Sequence, residues 1–280
     1  MNRILVLPNP VKQPAMKLAI GLVETLQRHE FEIVLENNIA AQLNLPSFGV
    51  SDELLWDGIE LVLVLGGDGS MLNAARRIYP RQIPILGINL GQLGFLTRIE
   101  SHKIEAALKA IRTGQYQFEE RTMLSAEING SGYIALNDLV VTANSMARMI
   151  RLETWIDEEY FTTYPADGLI TATSTGSTAY SLSAGGPILD PRLEAIVVTP
   201  ICAHSLYARP IILNKEARIR IIVHSNNTDV SLTADGQTEI VLKPGEEICI
   251  SRAQYITKLL RFNDQGLFEV LKSRLKEGRI

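Results

Sequence analysis

The sequence contains almost no cysteine: Cys202 and Cys249 are the only two among 280 residues. Two cysteines are too few for the disulfide framework that stabilises small secreted domains. This usage is typical of a protein from a reducing compartment. We expect both side chains to be ordinary buried thiols, because free cysteine is among the residue types most often buried.

A large charge excess, a long apolar run and a signal peptide are also missing. The formal net charge is −4, whereas a nucleic-acid-binding protein normally carries a basic excess. No run approaches the roughly 18 apolar residues that a membrane-spanning helix needs. The N-terminal segment has neither the apolar core nor the cleavage site of a signal peptide. We therefore expect a cytoplasmic protein with no nucleic-acid or membrane partner.

The N-terminal part of the chain alternates between strand and helix patterns. The almost continuous aliphatic run at 59–65 is typical of a central strand in a parallel sheet that helices cover on both faces. Ser101 is a candidate N-cap and Gly114 a candidate helix end, and the polar segment 37–57 predicts loops and turns. This alternation predicts a Rossmann-like α/β domain. Other strands are predicted at 3–7, 31–35 and 83–88, and helices at 14–29, 70–79 and 101–113.

After Gly114 the pattern changes to short β-type segments separated by turn signals, which predicts an all-β region. Residues 264–276 return to helical spacing, and we expect this last helix to pack back on the first domain, since a lone helix needs a surface to cover. We predict an α/β domain formed by 1–115 plus 253–280 and a β-rich domain formed by 116–252. The predicted strands of this region lie within 116–128, 133–143, 148–157, 195–201, 210–213, 217–224, 229–234, 238–242 and 246–252.

Three glycines surround an aspartate at the end of the central strand, in the motif Gly66-Gly67-Asp68-Gly69-Ser70. Ligands of open α/β sheets bind at the carboxyl ends of strands, where glycines let backbone N–H groups approach a phosphate and the next helix offers its positive end. Since a carboxylate repels phosphate, Asp68 is explained if it accepts a proton from a hydroxyl nucleophile or contacts a metal held by phosphates. The alternative is a tight turn in which Asp68 only caps the helix.

Two further segments each admit a functional and a structural interpretation. The three glycines of 87–96 indicate close approach of the backbone to a ligand or a helix, with Phe95 placed to stack on a base; alternatively they shape turns and Phe95 belongs to the core. The polar pair Asn137-Asp138 is embedded in a predicted strand, LNDLVVTA, and must form hydrogen bonds if it is buried. Its donors and acceptors suit ribose hydroxyls or an amide, and a turn at a strand end is the alternative.

The longest signal is residues 167–187, where an apolar strand leads into a stretch dense in hydroxyl groups and glycine. Backbone N–H groups and uncharged hydroxyls suit a base edge, neutral hydroxyls or phosphates. The motifs of other nucleotide-binding and hydrolytic classes are missing: there is no GxxxxGK[ST], GxGxxG or GxSxG. The four histidines have no metal-ligand spacing, so we predict no metal site formed by the protein.

Taken together, the motifs at 66–70, 87–96, 137–138 and 167–187 resemble the NAD kinase family, and ADGQ at 234–237 is similar as well. The resemblance implies a phosphotransferase that phosphorylates the 2′-hydroxyl of the adenosine ribose of NAD to give NADP. Its substrates would be NAD and ATP, with a divalent metal, magnesium, brought by ATP. It also implies a homodimer or homotetramer whose sites are completed across subunits.

The resemblance implies roles for individual residues. Asp68 would accept the proton, Gly69 would lie beside the dinucleotide, and Phe95 would pack near the adenine. The other implied dinucleotide contacts are Asn137, Asp138, Arg148, Asp167, Thr178, Ala179, Tyr180, Ser181, Leu182, Ser183 and Gln237. Three positions depart from the pattern: Pro165 stands where a basic residue is common, Ser174 where proline is common, and Asp138 where glutamate is frequent.

Two other functions compete with this interpretation. Lipid kinases share the GGDG motif, but the stretch at 167–187 argues against them. A non-catalytic NAD(P)-binding sensor would keep the pocket, but it has no need for the proton acceptor Asp68. Formation of NADP from NAD and ATP discriminates among all three.

Overall fold

The structure is a computed structural model that describes residues 1–91, 94–144, 149–225, 229–262 and 270–272. The chain divides into two compact units. The first contains Met1–Glu120 and resumes at Thr257, and the second contains Arg121–Ile256. Among the described residues, no helix combines the length and the apolar character needed to cross a membrane.

The first unit is built on a mainly parallel sheet with helices, as the alternating pattern predicts. β1 pairs in parallel with β2 and with β4, and β4 pairs in parallel with β5. All five residues of β4 are buried, which confirms the central strand predicted from the aliphatic run. The strands are β1 (Arg3–Pro8), β2 (Glu32–Glu36), β3 (Gly49–Val50), β4 (Leu61–Leu65), β5 (Ile85–Asn89), β6 (Ile99–Glu100) and β7 (Gln117–Arg121), and the helices are α1 (Gln13–Arg28), α2 (Asn37–Gln42), α3 (Asp68–Ile78) and α4 (Ile104–Arg112).

Two local predictions for this unit are wrong. The segment 37–57 is not only loops and turns, because it contains α2 and β3; a six-residue helix that buries only Ile39 and Ala40 is too short to give a helical period. Ser101 does not cap α4, since it opens a 3₁₀ turn at Ser101–Lys103 and α4 begins afterwards. Gly114 ends the helical segment with φ +71, as predicted.

The second unit consists of two six-stranded sheets whose facing apolar side chains form one core. The strand orders are β15-β14-β13-β10-β17-β18 and β12-β11-β16-β19-β8-β9. Adjacent strands pair antiparallel, as in β10 with β13 and β17. The elements are β8 (Leu124–Ile128), β9 (Ser131–Ala135), β10 (Asp138–Ala143), β11 (Ile150–Ile156), β12 (Glu159–Ala166), β13 (Gly168–Thr173), α5 (Tyr180–Ser183), β14 (Ala195–Ile201), β15 (Ile211–Asn214), β16 (Ile219–His224), β17 (Val230–Ala234), β18 (Thr238–Leu242) and β19 (Glu247–Arg252).

The chain returns to the first sheet through a strand that the sequence pattern does not reveal. β20 (Thr257–Arg261) lies between β5 and β7, in the order β3-β2-β1-β4-β5-β20-β7. Of the helix predicted at 264–276, only 270–272 lie within the described residues, and these are helical. The predicted fold class, an α/β domain followed by an all-β domain, is confirmed.

The expectation of two buried thiols is wrong, since Cys202 and Cys249 are both exposed. In β19 the side chains alternate between the core and the solvent face, and the buried residues Ile248 and Ile250 place Cys249 on the solvent face. Cys202 lies beyond the end of β14 in a left-handed conformation with φ +47.

Candidate active site

Asp68 lies where the central strand of the first unit passes into a helix. β4 ends at Leu65, two glycines follow, and Asp68 is the first residue of α3. An ideal Cβ at Gly66 would lie 2.3 Å from Ser70 Oγ, so the turn depends on glycine at this position. The predicted sequence of strand, glycine turn and helix is therefore present.

The carboxylate of Asp68 accepts hydrogen bonds from the chain after β5. Oδ2 accepts the backbone N–H of Phe95 at 2.9 Å. Oδ1 accepts the backbone N–H groups of Leu96 and Thr97, each at 3.1 Å, and the Thr97 hydroxyl at 3.2 Å. The N-cap of α3 is Gly67, so the interpretation of Asp68 as a mere helix cap is wrong.

Two of the glycines between 87 and 96 make room for this contact. An ideal Cβ at Gly94 would lie 2.0 Å from Asp68 Oδ1 and 2.6 Å from Thr97 Oγ1. At Gly87 it would lie 2.7 Å from Met71 Sδ and 2.9 Å from Thr97 Cγ2. The glycines thus admit a helix and its aspartate, which is one of the interpretations the sequence allows. Phe95 is partly buried.

In the second unit, the register of β10 brings Asn137 and Asp138 beside two other motifs. Asp138 is opposite Ala172 of β13, and Leu139 is opposite Ala234 of β17. The chain after β13 and the chain after β17 therefore both pass the Asn137-Asp138 pair. Asn137 is partly buried, and Asp138 is only 4% exposed.

The carboxyl group of Asp138 has an unusual acidity. Burial raises its pKa from 3.8 to about 7, and the nearby Asp235 carboxylate adds to the increase. A hydrogen bond from the Tyr180 backbone N–H, at the start of α5, opposes the shift. A substantial share of the Asp138 carboxyl groups is therefore protonated at neutral pH and able to donate a hydrogen bond.

Asp235 is a buried residue of the ADGQ segment for which the sequence pattern predicts no role of its own. Its carboxylate accepts the backbone N–H groups of Leu136 at 3.0 Å, Asn137 at 2.7 Å and Asp138 at 3.3 Å. It has φ +52 and follows β17 directly. An aspartate and a glycine after a buried strand, as at Asp68, are the signal that identifies such a position.

The hydroxyl-rich stretch packs tightly against Asn137. The Thr173 hydroxyl donates to the Leu136 carbonyl at 2.7 Å and accepts the Gly176 N–H at 3.0 Å. An ideal Cβ at Gly176 would lie 2.0 Å from the Asn137 carbonyl oxygen. This close approach places the turn that follows β13 beside the polar pair.

Several hydroxyls of this stretch bind within the protein rather than facing outward. Ser177 and Ser181 are fully buried. The Ser177 hydroxyl donates to the Ser174 carbonyl at 2.7 Å, and that of Ser181 lies 2.9 Å from the Thr199 hydroxyl. Tyr180 and Ser183 are exposed, and Thr178, Ala179 and Leu182 are partly buried.

The remaining candidate residues have different surroundings. Gly69, Asp167 and Gln237 are exposed. Arg148 lies outside the described residues. Among the described residues, no group of three or more histidine, cysteine, aspartate or glutamate side chains could hold a metal ion.

Arg121 is a second buried residue that no sequence pattern singles out. It is 2% exposed, and its Nη1 donates to the Thr175 hydroxyl at 3.2 Å. Hydrogen bonds from Arg192 lower the pKa of Asp190 to about 2, and the Arg121 charge contributes to that shift. A positive charge is therefore buried directly behind the hydroxyl-rich turn.

Two models of one protein family match this chain. A family model of the ATP-NAD kinase N-terminal domain matches residues 4–116, and one of the ATP-NAD kinase C-terminal domain matches residues 136–262. An NAD kinase of Moorella thermoacetica is 43% identical over 282 residues, which cover 99% of this chain and 90% of that relative. The chain belongs to the NAD kinase family.

Solved structures of NAD kinase relatives share the fold. A crystal structure of a yeast NADH kinase complexed with NADH has a TM-score of 0.89 at 26% identity, covering 99% of this chain and 88% of the other. The structure of an NAD kinase from Archaeoglobus fulgidus in complex with ATP has a TM-score of 0.77 at 27% identity, covering 99% of each chain. A further NAD kinase, of Carboxydothermus hydrogenoformans, is 42% identical over 94% of this chain and 96% of its own length.

Membership of the NAD kinase family argues against a lipid kinase. The C-terminal match extends over 136–262 and so includes the whole hydroxyl-rich stretch, whereas the shared GGDG motif alone would involve only the first unit. Asp68 and Asn137-Asp138 lie in separate matched domains.

Proposed function

We propose that this chain transfers the γ-phosphoryl group of ATP to the 2′-hydroxyl of the adenosine ribose of NAD, giving NADP and ADP. The observation that carries the proposal is the Asp68 carboxylate, held at the carboxyl end of β4 by four hydrogen bonds. A proton acceptor fixed at this edge of a parallel sheet suits phosphoryl transfer, which depends on positioning more than on covalent help.

Asp68 acts on the substrate hydroxyl through Oδ2. This oxygen accepts a backbone N–H from Phe95, and a carboxylate oxygen accepts about two hydrogen bonds. The 2′-hydroxyl donates to the remaining lone pair. As the oxygen–phosphorus bond forms and the bond from the γ-phosphorus to the β-bridging oxygen breaks, the proton passes to Oδ2 and ADP leaves. A carboxylate is too weak a base to remove this proton beforehand, so the transfer is late.

Gly69 is a proposed dinucleotide contact of the first unit. The second unit contains a separate group of proposed contacts. The partly protonated carboxyl of Asp138 can donate a hydrogen bond as well as accept one, which suits a hydroxyl or an amide oxygen. Asn137 adds an amide next to it. The other proposed contacts are Arg148, Asp167, Thr178, Ala179, Tyr180, Leu182, Ser183 and Gln237. Ser181, which the resemblance also implies, is fully buried, and its hydroxyl lies 2.9 Å from that of Thr199.

ATP arrives with magnesium, which neutralises phosphate charge when bound. The metal is part of the substrate in this proposal. Because the net charge of the chain is −4, backbone amides, hydroxyls and a few arginines must supply the local attraction for phosphates.

We also propose that the protein is cytoplasmic and forms a homodimer or homotetramer. Light scattering on a sizing column would measure the molar mass of the assembly. The assignment of 1–115 plus 253–280 to nucleotide binding and of 116–252 to NAD binding stays a prediction.

The test is NADP formation from NAD, ATP and magnesium, by the unaltered chain and by Asp68→Asn. We expect the substitution to lower kcat by about 10²–10⁴-fold, the usual contribution of a positioned proton acceptor. NAD binding, measured by calorimetry, should stay within about threefold, and the urea unfolding midpoint reports whether the fold survives. Asp52→Asn, at an exposed position of the same unit, is the matched control.

Two results would contradict the proposal. If the unaltered chain binds NAD but forms no NADP with ATP, the protein is a sensor. If Asp68→Asn turns over at the rate of Asp52→Asn, Asp68 is not the proton acceptor.

A further inference from the structure

The two oxygens of the Asp68 carboxylate have unequal surroundings. Oδ1 accepts three hydrogen bonds, from the Leu96 N–H, the Thr97 N–H and the Thr97 hydroxyl. Oδ2 accepts the Phe95 N–H. Because each oxygen has two lone pairs, Oδ1 is saturated while Oδ2 can accept a further donor. The protein therefore distinguishes two chemically equivalent atoms.

Thr97 makes the largest contribution to this asymmetry. It is completely buried, and it donates to Oδ1 with both its backbone N–H and its hydroxyl. Its carbonyl accepts the Gly94 N–H at 3.0 Å, which closes the turn that surrounds the carboxylate. Thr97 thus connects the turn after β5 to the first residue of α3 through two hydrogen bonds, and a third closes the turn itself.

The packing around Thr97 leaves its side chain little freedom. An ideal Cβ at Gly94 would lie 2.6 Å from Thr97 Oγ1, and one at Gly87 would lie 2.9 Å from Thr97 Cγ2. Gly94 therefore has to be glycine to leave room for the Thr97 hydroxyl, and Gly87 to leave room for the Thr97 methyl group. A side chain confined in this way can fix the plane of the carboxylate that it contacts.

We propose that Thr97 is a positioning residue for the phosphoryl transfer: its hydroxyl anchors Asp68 Oδ1 so that Oδ2 receives the substrate proton. The proposal rests on the function proposed for Asp68 and adds the group that selects which of its two oxygens reacts. Without the hydroxyl, Oδ1 keeps only the hydrogen bonds from the Leu96 and Thr97 N–H groups, so the carboxylate is held less firmly and the fraction of productive orientations falls.

The experiment compares Thr97→Val with Thr97→Ser. Valine keeps the volume and removes the donor, whereas serine keeps the hydroxyl. We expect Thr97→Val to lower kcat about tenfold, with KM for NAD and for ATP within about twofold of the unaltered chain, and Thr97→Ser to keep at least about half of kcat. Thr154→Val is the matched control, because Thr154 is also completely buried and its hydroxyl bonds to the Leu152 carbonyl in β11 of the second unit.

A double-mutant cycle separates this proposal from the role of Asp68. In an Asp68→Asn background, Thr97→Val should change kcat by less than about twofold, since residues that act together are not additive. Three results would overturn the positioning role: a kcat for Thr97→Val equal to that of Thr154→Val, a kcat for Thr97→Ser as low as that of Thr97→Val, or a full tenfold loss in the Asp68→Asn background. If Asp68→Asn keeps its turnover, the proposed proton acceptor fails, and the positioning role fails with it.

Discussion

Two aspartates in this protein bind backbone N–H groups in the same way. Asp68 accepts those of residues 95–97, and Asp235 those of residues 136–138. Each follows a buried strand, β4 or β17. Successive amides that point to one side form an anion-binding concavity, which a protein carboxylate fills here. Each carboxylate thereby fixes the backbone of a distant segment that also contains candidate functional residues.

Burial raises the pKa of the neighbouring Asp138 carboxyl. The free energy of unfolding should therefore depend on pH. The pKa of Asp138 is about 7 in the folded chain against 3.8 for the free group. The folded state therefore binds the proton more tightly, and the contribution of Asp138 to the free energy of unfolding falls as the pH rises from about 4 to about 7. Above about pH 7 the chain bears the full free-energy penalty of keeping an ionised carboxylate buried at Asp138.

Asp138→Asn should remove this penalty, because the amide is neutral at every pH. We expect the free energy of unfolding at about pH 8 to increase by roughly 2–4 kcal/mol, at 1.36 kcal/mol per pKa unit. Near pH 4 the variant and the unaltered chain should be nearly equal. Urea unfolding at both pH values measures the difference. Asp52→Asn, at an exposed position, should show no such change, and an equal gain at both pH values would contradict the assignment.

At the scale of elements, turns that approach other backbone segments demand glycine more strictly than helices do. Gly176 lies where an added Cβ would be 2.0 Å from the Asn137 carbonyl oxygen and 2.8 Å from Asn137 Cα. Gly21 lies within α1, and an added Cβ there meets no described atom within 4 Å. The same substitution should therefore have opposite effects at these two positions.

We expect Gly176→Ala to lower the free energy of unfolding by about 1–3 kcal/mol, since backbone atoms cannot yield cheaply. It should also raise KM for NAD, because the displaced segment contains Asn137. Gly21→Ala should stabilise the chain by about 0.5–1 kcal/mol through the helix preference of alanine. Urea unfolding and NAD titration of both variants measure these effects. A Gly176→Ala chain as stable as Gly21→Ala would show that the contact relaxes freely.

The elements differ in how well their sequences predict them. β4 is evident because five successive aliphatic residues are buried on both faces. α2 is not, because a six-residue helix contains less than two turns and gives no period. β20 is not evident either, since TKLLR is short and contains only two apolar residues. Its strand conformation depends on pairing with β5.

At the scale of the whole chain, β20 links the C-terminal part of the sequence to the first sheet. Leu259 and Leu260 are completely buried, and Leu260 belongs to the core of the first unit. β20 separates β5 from β7 in the strand order. The first unit is therefore incomplete until the last part of the chain has been made.

A chain that ends at Ile256 should fail to fold its first unit. Loss of a buried leucine costs about 2–5 kcal/mol, and two are lost together with the strand pairing. We expect amide hydrogens of β1 and β4 to lose their protection from exchange, while those of β13 and β14 keep it, as measured by hydrogen-exchange mass spectrometry. Protection in β4 equal to that of the full chain would show that β20 is dispensable.

The sequence alone determines the fold class, the order of the two domain types, and the motifs that contain Asp68, Asn137-Asp138 and the hydroxyl-rich stretch. Periodicity and local glycine patterns involve residues that are close in the sequence, so they can be recognised from the sequence alone. The tertiary structure decides what those motifs bind: Asp68 meets Thr97, Asp235 meets the backbone of Asn137, and Ser181 points into the protein. The separation in sequence is 29 residues for Asp68 and Thr97, 98 for Asp235 and Asn137, and 18 for Ser181 and Thr199. Only the pairing and register of the strands bring these partners within hydrogen-bond distance.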